Sequence, residues 1–314
     1  MRTEIIISIM AIAVATIFSI AEPSFFTYDT LVLVAILSAE LGFIALGMSF
    51  LIATGEIDLS AAGVLALSVW VYDGFATGLG FSLPLAVVAV IALAISIGFI
   101  HGYICLRMGI PGFIVTFVGM IIWKGILTAI TKGEHEGYLG DKTTLFTNVL
   151  QGYVGMVPAV FIWFIVFTVI FTILLTRTRF GSHVLAVGGN LTVARNIGVR
   201  IERTKILCFI LSSLMAGVAA IFFFNRQFYV ASDVMVEAPL FAICACVVGG
   251  CMAGRANIVG TSIGVITIII IQRGLYIAGV PATLYMAAVG IVLLVFATIH
   301  IKWKEIHWVG VRRK

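Results

Sequence analysis

Long apolar blocks alternate with short polar intervals along this chain. Ten blocks stand out: 5–21, 31–53, 60–80, 84–106, 110–131, 153–176, 206–225, 236–252, 258–277 and 281–300. A helix of roughly 20 apolar residues crosses the hydrocarbon of a bilayer. The blocks are continuous and do not alternate in and out over ten-residue segments, which favours helices over a barrel. The first and eighth are short, and the eighth, rich in Gly and Ala, suits a broken or re-entrant segment. The pattern therefore predicts an all-α polytopic membrane protein of about ten transmembrane helices in a single domain spanning 1–314. Arg2 and Ser19-Ile-Ala21 give the first block some features of a cleavable leader. Its basic region is one Arg offset by Glu4, so the expectation is a retained span.

Composition agrees. Of the 314 residues 62% are hydrophobic and 11% charged, against about 25% charged in a soluble domain. The 32 glycines and 6 prolines suit closely packed helices. A net charge of +5 raises the question of nucleic acid. The basic residues lie between and after apolar blocks rather than in one soluble patch, so no nucleic-acid partner is expected. Cys105, Cys208, Cys244, Cys246 and Cys251 all fall in or beside apolar blocks without metal-pair spacing, so no metal site is expected.

Lys and Arg set the orientation. With the N-terminus in the cytoplasm, inside segments hold fourteen of the 19 basic residues, including Arg107, the six from Arg177 to Lys205, Arg255 and the tail after Lys302. Outside loops hold Lys132, Lys142 and Arg226, while Lys124 and Arg273 lie in spans. Both termini are then cytoplasmic. Two connections are too long for hairpins. Residues 132–152 face outside with Glu134, Glu136 and Asp141; residues 177–205 face inside. The halves echo each other: Gly102, Gly109-Ile-Pro111 and Gly119 match Gly274, Gly279-Val-Pro281 and Gly290. This hints at an inverted repeat pairing spans 2–5 with 7–10. The pairs Gly98/Gly102 and Gly260/Gly264 mark places where helix backbones can approach closely.

Within 177–205, Gly188-Gly189-Asn190 reads as a turn, and 191–197 as a short helix ending at Gly198. Such an element, carrying Ala194 and Arg195, fits a groove on a partner, or is simply a solvated basic loop. In Ile57-Asp58-Leu59-Ser60, Asp58 or Ser60 caps span 3; alternatively Glu56 and Asp58 line a gate. Ionisable groups inside a membrane are costly. Lys124 lies roughly 10 Å below the outer end of span 5 at 1.5 Å per residue and can snorkel. Glu40 is expected to pair with Lys124 or Arg273, or to face a wet cavity. Asn225 and Gln272 are further candidates for a path, and His101 reads as interfacial packing.

The 177–205 segment, with Arg177-Thr-Arg179-Phe-Gly181, Ala186-Val-Gly-Gly-Asn190, Ala194-Arg195 and Gly198-Val199, resembles the coupling loop of ribose-type ABC permeases. These are the membrane subunits of carbohydrate and autoinducer-2 importers. Three further blocks follow in that family's order: Gly47-Met-Ser with Ala53-Thr-Gly55-Glu-Ile-Asp-Leu-Ser60; Gly109-Ile-Pro-Gly-Phe-Ile-Val-Thr116 with Lys124-Gly125; and Val247-Val-Gly-Gly250 with Gly254-Arg255 and Gly260-Thr261. Departures are Glu56 for Gly, His101 for Asn, Lys124 for Arg, and Cys251-Met-Ala for a Ser-rich turn. The resemblance implies a type II importer-like fold in the inner (plasma) membrane that imports a sugar or sugar-like solute. It implies a second permease chain, identical or not, two ABC ATPase subunits and an extracytoplasmic solute-binding protein. Gly188, Gly189, Asn190, Ala194, Arg195 and Gly198 would then meet the ATPase.

No phosphate-loop motif, His-Glu-x-x-His pair or Gly-x-Ser-x-Gly turn occurs in the sequence. The expectation is a non-enzymatic chain without a cofactor of its own, with ATP and Mg held by the partner ATPase. The alternative reading is an ion-coupled secondary transporter, which needs carboxylates near the midplane. Only Glu40 meets that requirement.

Overall fold

A computed structural model describes residues 2–134, 136–137 and 144–281, together with 284, 286–287, 289–291, 294–295 and 298. The block at 281–300, the outer-loop residues Asp141 and Lys142, and the basic tail after Lys302 therefore lie largely or wholly outside the described residues.

Among the described residues, seven helices are long and apolar enough to cross a membrane. They are α1 (Arg2–Ala21), α2 (Tyr28–Ala53), α4 (Leu83–Met108), α5 (Gly112–Thr131), α7 (Ala159–Arg177), α10 (Ile201–Gln227) and α12 (Ile258–Ile277). Two apolar helices are shorter: α3 (Ala61–Asp73), continued by a π turn over Gly74–Gly78, and α11 (Ala238–Val248). The expected broken eighth span is thus an 11-residue helix. About 16 Å long at 1.5 Å per residue, it is too short to cross alone. Three small helices, α6 (Leu145–Gln151), α8 (Arg179–Gly189) and α9 (Leu191–Asn196), complete the set.

The centre is α2 and α10. In each, 67% of the most apolar stretch is buried, against 11% in α1 and 17% in α5. α10 packs on α4, α2 and α3; α2 also meets α7, α11 and α12. Glycines allow the closest approaches. A Cβ at Gly98 would lie 2.6 Å from the Ile210 Cα, and one at Gly264 would lie 2.5 Å from the Ala245 carbonyl oxygen. The two Gly-x-x-x-Gly pairs therefore join α4 to α10 and α12 to α11, with backbone against backbone. Gly109 and Gly279, the matched glycines before Ile-Pro and Val-Pro, share a left-handed conformation (φ 66° and 72°). Outside the helices, the strand Glu136–Gly137 pairs antiparallel with Tyr229–Val230 and ties the long outer connection to the segment after α10.

Candidate functional site

Three places gather the polar side chains that the sequence singled out. The first is the break between α2 and α3. The chain leaves α2 through Gly55 at φ +86°, a conformation that suits glycine. Glu56 then spans two other helices. Its Oε1 lies 2.6 Å from the Lys205 Nζ at the start of α10, and its Oε2 accepts the Gly112 N–H at the start of α5 (3.0 Å). Asp58 is fully buried. It accepts from the Ser60 N–H (2.8 Å), the Ser60 hydroxyl (2.5 Å) and the Ser212 hydroxyl (2.7 Å). Ser60 sits at the N-cap of α3 without a side-chain capping bond; the Asp58 carboxylate takes its amide instead. The Leu59 N–H goes to the Thr116 hydroxyl (3.0 Å).

His101 belongs to this network, contrary to its reading as interfacial packing. Its Nε2 accepts the Trp123 indole N–H at 3.1 Å, and its Nδ1 lies 3.3 Å from the Ser60 Oγ. Since Nε2 accepts, a neutral ring carries its proton on Nδ1 and donates toward Ser60. A buried chain of bonds thus runs Trp123–His101–Ser60–Asp58–Ser212 across α5, α4, α3 and α10. It holds the broken segment in place, because each donor left unmade in the interior would be expensive.

The second place is the 177–205 connection. It is more helical than expected. Thr178 caps α8 through the Gly181 N–H (3.2 Å), and the Asn190 Oδ1 caps α9 through the Thr192 and Val193 N–H groups (3.0 and 3.1 Å). Gly198 (φ +82°) follows α9, as the sequence suggested. Gly188 and Gly189 close α8 rather than forming a left-handed turn. The reason for glycine at 188 is proximity. A Cβ there would lie 1.7 Å from the Ala53 carbonyl oxygen and 2.5 Å from the Gly254 nitrogen. The same Ala53 oxygen accepts the Gly254 N–H at 2.9 Å. Three backbones, the ends of α8 and α2 and the turn before α12, therefore meet with no side chain between them. Ala194 is buried with Val187 and Val199, so it fastens α9 to α8 and does not face another chain directly. Arg195, Leu191, Val193 and Ile197 are exposed on the same short helix and its end.

The third place lies near the middle of α2. Glu40 stands twelve residues after Tyr28 and thirteen before Ala53, about 18–20 Å from either end of the helix. It is 1% exposed. Its partner is neither Lys124 nor Arg273 but Arg226, in a two-point ion pair (Nε–Oε1 2.6 Å, Nη2–Oε2 2.8 Å). The apolar block ends at 225, which puts Arg226 in a loop, whereas α10 continues through Gln227. The last turn of α10 thereby carries the guanidinium to Glu40. The pair and Gln272 line a cavity of about 180 Å³, with Glu237, Met235 and Phe241 also in its walls. Asn225 points elsewhere: it donates to the Tyr72 hydroxyl (3.1 Å) and the Ile221 carbonyl (2.8 Å) and is structural. The Arg273 guanidinium lies 4.9 Å over the Tyr276 ring. Lys124 lines a separate shallow groove along α5 with Met120, Thr128 and Lys132. Sequence reasoning missed the partners Arg226 and Lys205, each at the margin of an apolar block, where a helix continuing past the block would have brought them into play.

Comparison with known proteins gives a consistent set. Residues 30–297 match the family described as "Branched-chain amino acid transport system / permease component". The chain is 31% identical to the ribose import permease protein RbsC of Haemophilus influenzae, over 91% of this chain and 90% of that one. It is 32% identical to the ribose import permease protein RbsC of Bacillus subtilis (89% and 87% covered). It is 27% identical to the autoinducer 2 import system permease protein LsrC of Photorhabdus luminescens (93% and 87% covered). No solved structure shows a significant match.

Proposed function

From the premise that the chain belongs to the branched-chain amino acid transport system / permease component family, as a multi-pass membrane permease of an ABC importer and not an enzyme, we propose that it carries a sugar or sugar-like solute into the cytoplasm, driven by separate ATPase subunits. The relatives' names, ribose and autoinducer 2 import permeases, support the solute class. In this reading both termini and the α8–α9 connection are cytoplasmic. A second permease chain completes the path, an extracytoplasmic binding protein delivers the solute, and ATP and Mg are bound by the ATPase.

One observation carries the coupling mechanism: the side-chain-free junction of Gly188, Ala53 and Gly254. Closure of the ATPase subunits pushes on α9, whose exposed Leu191, Val193 and Ile197 offer an apolar ridge for a groove. With no compressible side chain at the junction, the push passes from α8 directly to the end of α2 and to the turn before α12. Glu56, three residues beyond Ala53, is bonded to the starts of α5 and α10. Displacement at 53–56 therefore reaches two further helices, α5 and α10, enough to tilt the bundle between outward- and inward-open states.

The secondary-transporter reading needs a midplane carboxylate available to a coupling ion, whereas Glu40 is engaged at both oxygens by Arg226. The deciding experiment reconstitutes the chain in liposomes with its cognate ATPase and binding protein. Uptake of labelled D-ribose or D-xylose should need ATP and both partners. Uptake by the chain alone under an ion gradient would refute the importer reading. Labelling of Asn190→Cys should occur from the cytoplasmic side; access only from the outside would overturn the orientation.

A further inference from the structure

We propose that the groove between the α7–α8 corner and the first half of α10 is a binding site for an anionic phospholipid of the cytoplasmic leaflet. Arg195, Arg200 and Arg203 hold its phosphate, and one acyl chain lies along Leu207, Ile210 and Leu214. The site rests on the orientation in the importer reading and on nothing about the solute.

Two cavities on α10 carry it. A polar one of about 300 Å³ is walled by Arg195, Val199, Arg200, Ile201, Glu202 and Arg203. An apolar one of about 280 Å³ is walled by Leu174, Phe180, Leu207, Ile210, Leu211 and Leu214. The sequence of α10 aligns them. Arg203, Leu207, Ile210 and Leu214 follow one another at steps of four, three and four, the spacing of a single helix face. Arg200 stands at the N-cap of the same helix. From Arg203 to Leu214 the rise is roughly 16 Å at 1.5 Å per residue, about half of the roughly 30 Å hydrocarbon thickness. A basic rim and an apolar groove one leaflet deep thus share one face of one helix.

The charge of the rim is unspent. Arg195, Arg200 and Arg203 are exposed, and among the described residues none of their guanidinium groups has an ion pair or hydrogen bond. Lys205, two residues past Arg203, faces another way and is held by Glu56. Glu202 offsets one of the three charges and leaves an excess of two. Guanidinium groups bind phosphate oxygens two at a time, and basic pockets at the cytoplasmic side of membrane helices collect anionic headgroups. Other occupants fit less well. A soluble ATPase reaches α9 but not Leu214, deep in the span. A second copy of this chain, with fourteen of its 19 basic residues on the inner side, would set cations against cations. A free phosphate would leave the apolar groove unfilled.

The test places a photo-reactive side chain in the groove. The complete complex, in liposomes of equal parts phosphatidylglycerol and phosphatidylcholine, carries Leu207→p-benzoylphenylalanine, and the mass of the adduct formed on illumination identifies the neighbour. Phosphatidylglycerol adducts should exceed phosphatidylcholine adducts at least fivefold. The same substitution at Ile165, exposed on α7, should give near parity. Arg200→Gln with Arg203→Gln should bring the ratio at position 207 within twofold of parity. Arg107→Gln, which removes an exposed cation at the end of α4, should leave it unchanged, as should excess glycerol 3-phosphate. Four results would each overturn the site: parity at position 207; an adduct to the ATPase or to a second permease chain in place of lipid; equal loss of preference in Arg107→Gln and the double variant; or loss of preference to glycerol 3-phosphate. The first two need no arginine variant, so refutation does not depend on the folding of those proteins. ATP-driven uptake is measured in the same vesicles. Parity with intact uptake would sink the lipid site and leave the importer standing; lipid preference without ATP-driven uptake would do the reverse.

Discussion

Gly188→Ala is the sharpest probe of how work enters the bundle. The new methyl carbon would start 1.7 Å from the Ala53 carbonyl oxygen. Ordinary C···O contacts begin near 3.3 Å, so α8 must retreat by roughly 1.6 Å or the Ala53–Gly254 bond must open. Opening it leaves a donor and an acceptor unmade, at about 1–3 kcal/mol, and overpacking adds about 1–3 kcal/mol. Retreat avoids both penalties but separates α8 from α2, and the push is then absorbed by a gap. Gly189→Ala is the matched control. Nothing lies within 4 Å of a Cβ there, and Ala is the better helix former by about 1 kcal/mol. In liposomes containing the complete complex, Gly188→Ala should lower ATP-driven uptake at least tenfold while ATPase binding persists. Gly189→Ala should stay within twofold of the parent. Equal uptake by the two variants would refute the backbone junction as the route of coupling, since they differ by one residue in position and not at all in chemistry.

Two further outcomes follow from the α2–α3 break. Asp58→Ala strands the Ser60 amide and two hydroxyls, at about 1–3 kcal/mol for each donor that finds no substitute, so thermal stability in detergent should drop well below that of Asp58→Asn, which keeps an acceptor oxygen; identical melting of the two would show the carboxylate is dispensable as an acceptor. Lys205→Glu sets two carboxylates against each other where Glu56 held a cation at 2.6 Å, and Glu56→Lys does the converse, so each should reduce uptake severely while the double exchange recovers a substantial part of it; no recovery in the exchanged pair would mean that the contact does not transmit motion as a charge pair.

Apolar length located the membrane helices well because burial in lipid acts on each block independently of the rest of the chain. The short α11 was legible for the same reason, as its block was short and rich in Gly and Ala. Pairings were a different matter. Glu40 and Arg226 are separated by 186 positions, and hydropathy cannot say that α10 outlasts its apolar block by two residues and so delivers the cation. Lys124 and Arg273 looked equally eligible because sequence supplies depth but not the direction a helix face turns. Gly188 and Gly189 are indistinguishable as letters; only the crossing of α8 over the end of α2 makes one indispensable and leaves the other free.

The departures from the family pattern become intelligible once partners are known. Glu56, where glycine is usual, is matched by Lys205 and by the Gly112 amide. A carboxylate here adds a tether between helices that a glycine could not make. His101, where asparagine is usual, both accepts from Trp123 and faces Ser60, and an amide also offers one accepting and one donating group. That exchange preserves the bonding pattern while enlarging the side chain, and Gly119 supplies the room: a Cβ there would lie 2.4 Å from the His101 Nε2. The histidine and the glycine opposite it therefore act as one unit, and a larger residue at 119 would expel the ring and open the chain of bonds that ends at Asp58. Two of the residues that break the family pattern, Glu56 and His101, thus tie the break between α2 and α3 to α4, α5 and α10.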